Sequence, residues 1–93
     1  MKKKVLIPIW GWNDLKEGSI FQEGKVYRKV LKFIEEGGVK KAVVSYFVWV
    51  NEVDETPEAI SARPELAKPC YKFELKGFTQ FGSKRVTFVD EPN

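Results

Sequence analysis

The sequence predicts an all-β fold: an antiparallel sheet of about five strands that curls into a small barrel, over one domain of residues 1–93. Residues 40–53, KKAVVSYFVWVNEV, are the longest apolar run and are rich in β-branched and aromatic residues, which favour strands. Residues 71–78, YKFELKGF, alternate between apolar and polar side chains, as a half-buried strand does. A closed sheet would hide the edge strands that such segments leave exposed.

The first element is a strand over residues 2–9. Pro8 lacks the amide hydrogen that a ladder requires, so this strand lies at an edge or ends there. Trp10 and Trp12 follow it on either side of Gly11. These two rings either cap the open end of the core or form an exposed platform for stacking.

Two interpretations of residues 25–36, KVYRKVLKFIEE, remain open. The apolar side chains recur with helical spacing, and Gly37 would end such a helix. The helix would make the fold α+β, with one helix packed on an antiparallel sheet. Alternatively the segment is a strand, and Gly37 and Gly38 form a two-residue hairpin turn into the central strand.

The central strand has one face that reads as core and one that is half polar. The predicted core face contains Ala42, Val44, Tyr46, Val48 and Val50. The other face contains Val43, Ser45, Phe47, Trp49 and Asn51, and is either covered by a second element or offered to a partner.

The remaining chain is predicted to be a loop followed by a hairpin. Residues 54–69 form the loop, with short helical turns starting at Pro57 or Pro64. Residues 71–78 form a strand with Tyr71, Phe73 and Leu75 pointing inward. Residues 79–83 form the hairpin tip, and residues 84–89 the returning strand.

The composition excludes disorder and argues against catalysis. Hydrophobic residues make up 43% of the chain and charged residues 31%, as in folded proteins. The absence of histidine removes the commonest general base and metal ligand. Cys70 is the single cysteine, and the acidic group Glu52, Asp54 and Glu55 reads as a solvated loop start. We therefore expect no enzyme, no cofactor and no metal site.

No segment has the length of a membrane span, and the apolar run after Lys4 is too short for a signal peptide. We therefore expect a cytoplasmic protein, in the host cell cytoplasm if it is viral. A net charge of +3 and a pI near 9.0 are compatible with an anionic partner.

Aromatic side chains next to cations are the distinctive pattern. Tyr27 lies between Lys25 and Arg28. Phe81, at the predicted hairpin tip, is followed three and four residues later by the cations Lys84 and Arg85. A ring that stacks on a base beside a cation that meets a phosphate is how proteins hold single-stranded nucleic acid without reading its sequence.

These segments resemble the single-stranded-DNA-binding, helix-destabilising proteins of filamentous phages. Residues 4–8, KVLIP, resemble the family's opening strand, and residues 24–27, GKVY, resemble its DNA-binding loop. Residues 78–83, FTQFGS, resemble the tip of its long hairpin. The resemblance implies an OB-like five-stranded barrel, a symmetric dimer and cooperative coating of a DNA strand. It also implies that Phe81 reaches DNA bound by a neighbouring subunit, with Arg85 in the basic return strand.

The resulting hypothesis is a dimeric barrel that binds single-stranded DNA or RNA without sequence specificity and has no membrane partner. The nucleic-acid-binding residues would be Lys25, Tyr27, Arg28, Trp49, Phe81, Lys84 and Arg85. The alternative is a protein–protein interaction module of α+β fold, a phage or archaeal accessory factor whose rings serve a protein interface.

Overall fold

The computed structural model describes residues 2–76 and 83–91, which contain seven antiparallel strands and little helix. The strands are β1 (Lys2–Pro8), β2 (Ile20–Glu23), β3 (Val26–Glu36), β4 (Val39–Ser45), β5 (Val48–Trp49), β6 (Pro69–Glu74) and β7 (Lys84–Asp90). The helical elements are α1 (Pro57–Ser61) and three single 3₁₀ turns (Trp12–Asp14, Glu52–Asp54 and Pro64–Ala67). The all-β prediction is confirmed, and the turns predicted at Pro57 and Pro64 form.

The strand order is β1-β7-β2-β3-β4-β6, with β5 also paired to β3. The predicted five-stranded closed barrel is therefore wrong, since the sheet has seven strands and is not closed within the described residues. Within the described residues β6 does not pair with β7 as the predicted hairpin requires, since β7 pairs with β1 and β2 and β6 pairs with β4. Most of the predicted hairpin tip, residues 79–82, lies outside the described residues. This arrangement places β1 at one end of the sheet, as Pro8 predicted, and β6 at the other.

Residues 26–36 form strand β3, so the helical interpretation of residues 25–36 and the α+β alternative are wrong. The helical periodicity is overridden because strand partners flank this segment: β2 and β5 pair with its first half, and β4 pairs with its second. Gly37 and Gly38 close the β3–β4 hairpin with φ of +58° and +80°, the left-handed values that a type I′ turn requires at both positions.

The long central strand is interrupted at Tyr46 and Phe47. Ala42, Val44 and Val48 are buried as predicted, but Val48 belongs to a different core from Ala42 and Val44, and Tyr46 is exposed. The prediction that one face of residues 40–53 forms a single core is therefore wrong. Ser45 is buried at the interruption, where its Oγ accepts a hydrogen bond from the Lys29 amide at 2.9 Å and donates one to the Tyr46 carbonyl at 2.7 Å. The hydroxyl therefore satisfies backbone groups at the break between β4 and β5, the two strands that pair in turn with β3.

The sheet packs apolar side chains on both of its faces. The first core contains Ile9, Trp12, Leu15, Phe21, Val30, Ala42 and Val44, with Phe33, Phe73 and Leu75 partly buried against it. The second core contains Tyr27, Val48, Ile60, Leu66 and Val86. α1 and the last 3₁₀ turn belong to the second face, since they contribute Ile60 and Leu66. The side chain of Thr56 accepts the Ala59 amide and caps α1.

Candidate nucleic-acid interface

Three exposed rings and one arginine form a continuous row on the first face of the sheet. The ring centres of Trp49 and Phe47 are 6.0 Å apart and nearly perpendicular. The guanidinium carbon of Arg28 lies 5.4 Å from the centre of the Phe47 ring and 5.4 Å from that of Tyr71. We call Trp49, Phe47, Arg28 and Tyr71 the aromatic row. Exposed fractions of 64% for Trp49 and 53% for Tyr71 leave ring surface available to a ligand.

Arg28 holds the aromatic row together from β3, which lies inside the sheet. Its guanidinium donates a hydrogen bond to the Ser45 carbonyl at 3.3 Å, and its Nε lies 3.8 Å from a carboxylate oxygen of Glu23. The side chain is only 15% exposed. Its charge therefore acts mainly on the neighbouring rings and carboxylate, because little of the guanidinium is left to meet a phosphate.

The edge strand β6 contributes Tyr71, which its alternating pattern predicts to point inward. Tyr71 lies opposite Val44 on β4 and is half exposed, so that prediction is wrong. The physical reason is that β6 is the last strand of the sheet in residues 2–76 and 83–91, so no further described strand flanks Tyr71. Phe73 and Leu75 on the same segment do pack against the first core, as predicted.

Phe47 joins the aromatic row from the break between β4 and β5, in which it lies. The sequence pattern places Phe47 on the half-polar face of the central strand and predicts no binding role for it. The sequence carries one signal for this position, a serine in the middle of an apolar strand. Because a buried hydroxyl must find hydrogen-bond partners, Ser45 marks a place where the ladder is irregular.

Tyr27 lies on the opposite face and is 1% exposed, so its predicted role as an exposed stacking ring is wrong. Its hydroxyl donates a hydrogen bond to Glu55 at 2.5 Å and accepts one from the Lys4 ammonium at 2.8 Å. Lys4 and Glu55 also form an ion pair at 2.6 Å. Burial, and then the hydrogen bond to Glu55, raise the pKa of the Tyr27 hydroxyl far above its usual value. Tyr27 therefore ties β1, β3 and the loop after β5 together.

The other predicted cations divide between the two faces. The Lys25 carbonyl accepts the Val50 amide at 2.9 Å, so Lys25 lies next to Trp49 along the chain pairing but, opposite Val50, belongs to the face of Tyr27. Arg85 lies opposite Phe21, which lies opposite Arg28, so Arg85 shares the face of the row. Lys84 lies opposite Gln22, which pairs with Tyr27, so Lys84 belongs to the other face. Phe81 lies outside the described residues.

The two tryptophans after β1 have different environments. Trp12 is buried in the first core, where its ring stacks on Phe73 at 5.7 Å and meets Phe21 edge-on at 6.2 Å. Trp10 is 88% exposed. Trp12 therefore fills the core and Trp10 is open to solvent, whereas the sequence allowed either position for both rings.

Across residues 2–76 and 83–91, no group of three histidine, cysteine, aspartate or glutamate side chains is placed to hold a metal ion. No helix in the same residues has the length and apolar character needed to cross a bilayer. No known protein family, curated protein or solved structure matches the chain. The resemblance to the filamentous-phage proteins therefore stays a prediction.

Proposed function

We propose that this protein binds single-stranded nucleic acid without sequence specificity, by stacking unpaired bases on the aromatic row. The observation that carries the proposal is the continuous contact from Trp49 through Phe47 and Arg28 to Tyr71 on one face. Every base has a flat aromatic surface, so stacking of this kind tolerates any sequence.

The spacing of the aromatic row suits a strand whose bases are not stacked on one another. Neighbouring members of the row are 5.4–6.0 Å apart. A nucleic-acid strand in a duplex advances by about 3.4 Å per nucleotide. A bound strand would therefore be extended, and its bases would exchange contacts with each other for contacts with Trp49 and Tyr71.

Cations around the aromatic row would hold the phosphates. Arg85 lies on the face of the row, two strands away from Arg28, and Lys25 is exposed next to Trp49. The net charge of +3 favours approach of a polyanion. Binding through these groups releases counterions, so affinity should fall as salt rises.

The resemblance to filamentous-phage proteins supports the finer features of the proposal. It favours DNA as the nucleic acid, a homodimer as the binding unit, a role in viral DNA replication and the host cytoplasm as the place of action. In that interpretation Phe81 adds a further ring to the DNA-binding surface.

The test is a titration of fluorescently labelled oligothymidylate at 50 and 200 mM salt, with wild type, Trp49→Ala and Tyr71→Ala. A stacked base contributes about 1–3 kcal/mol, so each substitution should weaken binding by about fivefold to a hundredfold. Trp10→Ala is the matched control, because Trp10 is more exposed than Trp49 and no ring contact within the described residues joins it to the row. It should retain wild-type affinity.

A protein-interaction function is the second candidate, favoured by the position of the aromatic row beside β6, whose outer edge carries no strand in the described residues. Exposed rings next to a free edge also suit a protein partner that adds a strand. Absence of oligonucleotide binding at 50 mM salt, or binding that does not weaken at 200 mM, would reject the nucleic-acid proposal and leave this one.

A further inference from the structure

A cavity of about 290 Å³ opens next to Trp49, where the aromatic row ends. Val48 and Ile60, both buried, provide its apolar part, and Asn51, Asp54 and Arg63 provide polar groups. Cavities that hold small organic groups combine apolar walls with a few placed polar atoms in this way. Val48 and Ile60 belong to the second core, so the cavity lies on the face opposite the aromatic row. Trp49 belongs to both the row and the cavity lining, so a strand that follows the row and then passes around β5 reaches the cavity.

Among the polar groups that line the cavity, Asp54 offers a hydrogen-bond acceptor and Arg63 a donor. Glu55 also lines it, but its two carboxylate oxygens are engaged by Tyr27 and Lys4. The Asp54 carboxylate accepts one hydrogen bond, from the side-chain amide of Asn51 at 3.1 Å, and a carboxylate can accept about four hydrogen bonds. Arg63 pairs through Nε with Glu65 at 3.4 Å, and a guanidinium carries five N–H donors.

We propose that this cavity takes one unstacked guanine of the bound strand. The inference rests on the proposed nucleic-acid function and adds a base preference at one position to the unspecific stacking on the aromatic row. Guanine presents two neighbouring N–H donors, at N1 and N2, beside the O6 acceptor. Asp54 would accept from the two donors and Arg63 would donate to O6, while the base stacks on Trp49. Thymine has a single N–H between two carbonyl oxygens and cannot satisfy Asp54 in the same manner.

The charges near the cavity favour entry of a base over entry of the backbone. Glu52 and Asp54 are exposed on the 3₁₀ turn that follows Trp49 and repel phosphate. Lys25, whose carbonyl is bonded to the Val50 amide, provides a cation for phosphate at the Trp49 end. The sugar–phosphate chain would therefore stay beside Lys25 while the base turns into the cavity.

The experiment compares three short oligothymidylates with guanine, hypoxanthine or thymine at the central position. Hypoxanthine lacks only the N2 amino group of guanine. A bidentate carboxylate contact discriminates by about 1–3 kcal/mol, so wild type should bind the guanine strand about fivefold or more tighter than both others. Asp54→Asn should reduce the guanine-to-thymine ratio towards one. The ratio is the readout because loss of a negative charge raises the affinity for every strand.

Glu58→Gln is the charge-matched control, since Glu58 is exposed on α1 and is not among the residues that line the cavity. It should keep the guanine preference, whereas Arg63→Gln should lose it. Equal binding of the three strands by wild type overturns the guanine assignment while the proposed function stands. A preference that survives Asp54→Asn overturns the role of the cavity. Absence of binding to all three strands rejects the proposed function itself.

Free guanosine monophosphate separates a base in a strand from a free nucleotide. It should not displace the guanine strand at the concentrations at which that strand saturates the protein, because it lacks the contacts with the rest of the aromatic row. Displacement at equal concentration would overturn the assignment to a strand.

Discussion

The guanidinium carbon of Arg28 on β3 lies 5.4 Å from the centre of the Tyr71 ring on β6, although β4 separates the two strands. The contact links an interior strand of the sheet to the strand at its end. Since Arg28 also faces Phe47, one planar cation keeps two exposed rings at a defined separation.

Arg28→Lys is expected to destabilise the protein although it keeps the charge. A lysine ammonium lacks the planar surface that lies against Phe47 and Tyr71, and desolvated cation–π contacts contribute up to about 2 kcal/mol. We expect a loss of about 1–2 kcal/mol in the free energy of unfolding, measured in urea. Arg63→Lys, at an exposed ion pair, should change it by less than about 0.5 kcal/mol. Equal losses in both variants would contradict the role given to Arg28.

Tyr27→Phe is expected to lower stability because it removes a buried hydroxyl that bonds to two charged groups. The ring would still fill its place, but Glu55 would lose a donor and Lys4 an acceptor. The expected loss is about 1–3 kcal/mol in the free energy of unfolding. Tyr46→Phe, at a half-exposed tyrosine, is the control and should change it by less than about 0.5 kcal/mol. An unchanged free energy of unfolding in Tyr27→Phe would show that the hydrogen bonds of its hydroxyl make no net contribution to stability.

Gly37 is expected to accept asparagine but not valine. Its φ of +58° lies in the left-handed region, which costs most side chains about 1–2 kcal/mol and which asparagine adopts readily in type I′ turns. Gly37→Val should lose about that amount by urea denaturation, and Gly37→Asn should be nearly neutral. No atom within 4 Å would meet an added Cβ, so the difference isolates the backbone effect. Equal stability of the two variants would contradict the turn geometry.

The Glu23 carboxylate should make part of the stability depend on pH. Burial raises the pKa of Glu23 above its ordinary 4.5, and Arg28 offsets this only in part. Above pH 4.5 the folded state then holds more protons than the unfolded state, so the unfolding free energy falls as pH rises through that window. Glu23→Gln mimics the protonated form. Its stability relative to wild type should therefore increase between pH 4 and 7, as urea titrations at both values would show.

Glu36→Gln provides the comparison of opposite sign. A hydrogen bond from Lys72 and its charge lower the pKa of the exposed Glu36. This carboxylate stabilises the folded state above the unfolded pKa, and the stabilisation is lost as the pH falls through the folded value. The free energy of unfolding of wild type, relative to that of Glu36→Gln, should therefore increase as the pH rises from 3 to 5. A trend in the same direction for Glu23 and Glu36 would contradict the environments described for both.

Much of the strand content could be predicted from residue patterns. Alternation and β-branched residues located β1, β4, β6 and β7, and prolines located the two helical turns, because these signals are local. Residues 25–36 are ambiguous from the sequence, since their apolar residues fit both the helical and the strand periodicity. Hydrogen bonds to β2, β4 and β5 make this segment a strand, and these partners come from other parts of the chain.

The sequence by itself determined an antiparallel β-protein with more rings than one small core requires and without histidine chemistry. Only the tertiary structure decided which rings are exposed, because the exposure of a ring depends on what covers it from elsewhere in the chain. Tyr27 is enclosed by Lys4 and the loop around Glu55, whereas Tyr71 stays open on the last strand of the sheet. Strand order and the break after Ser45 assembled the aromatic row, and neither is encoded within a single segment.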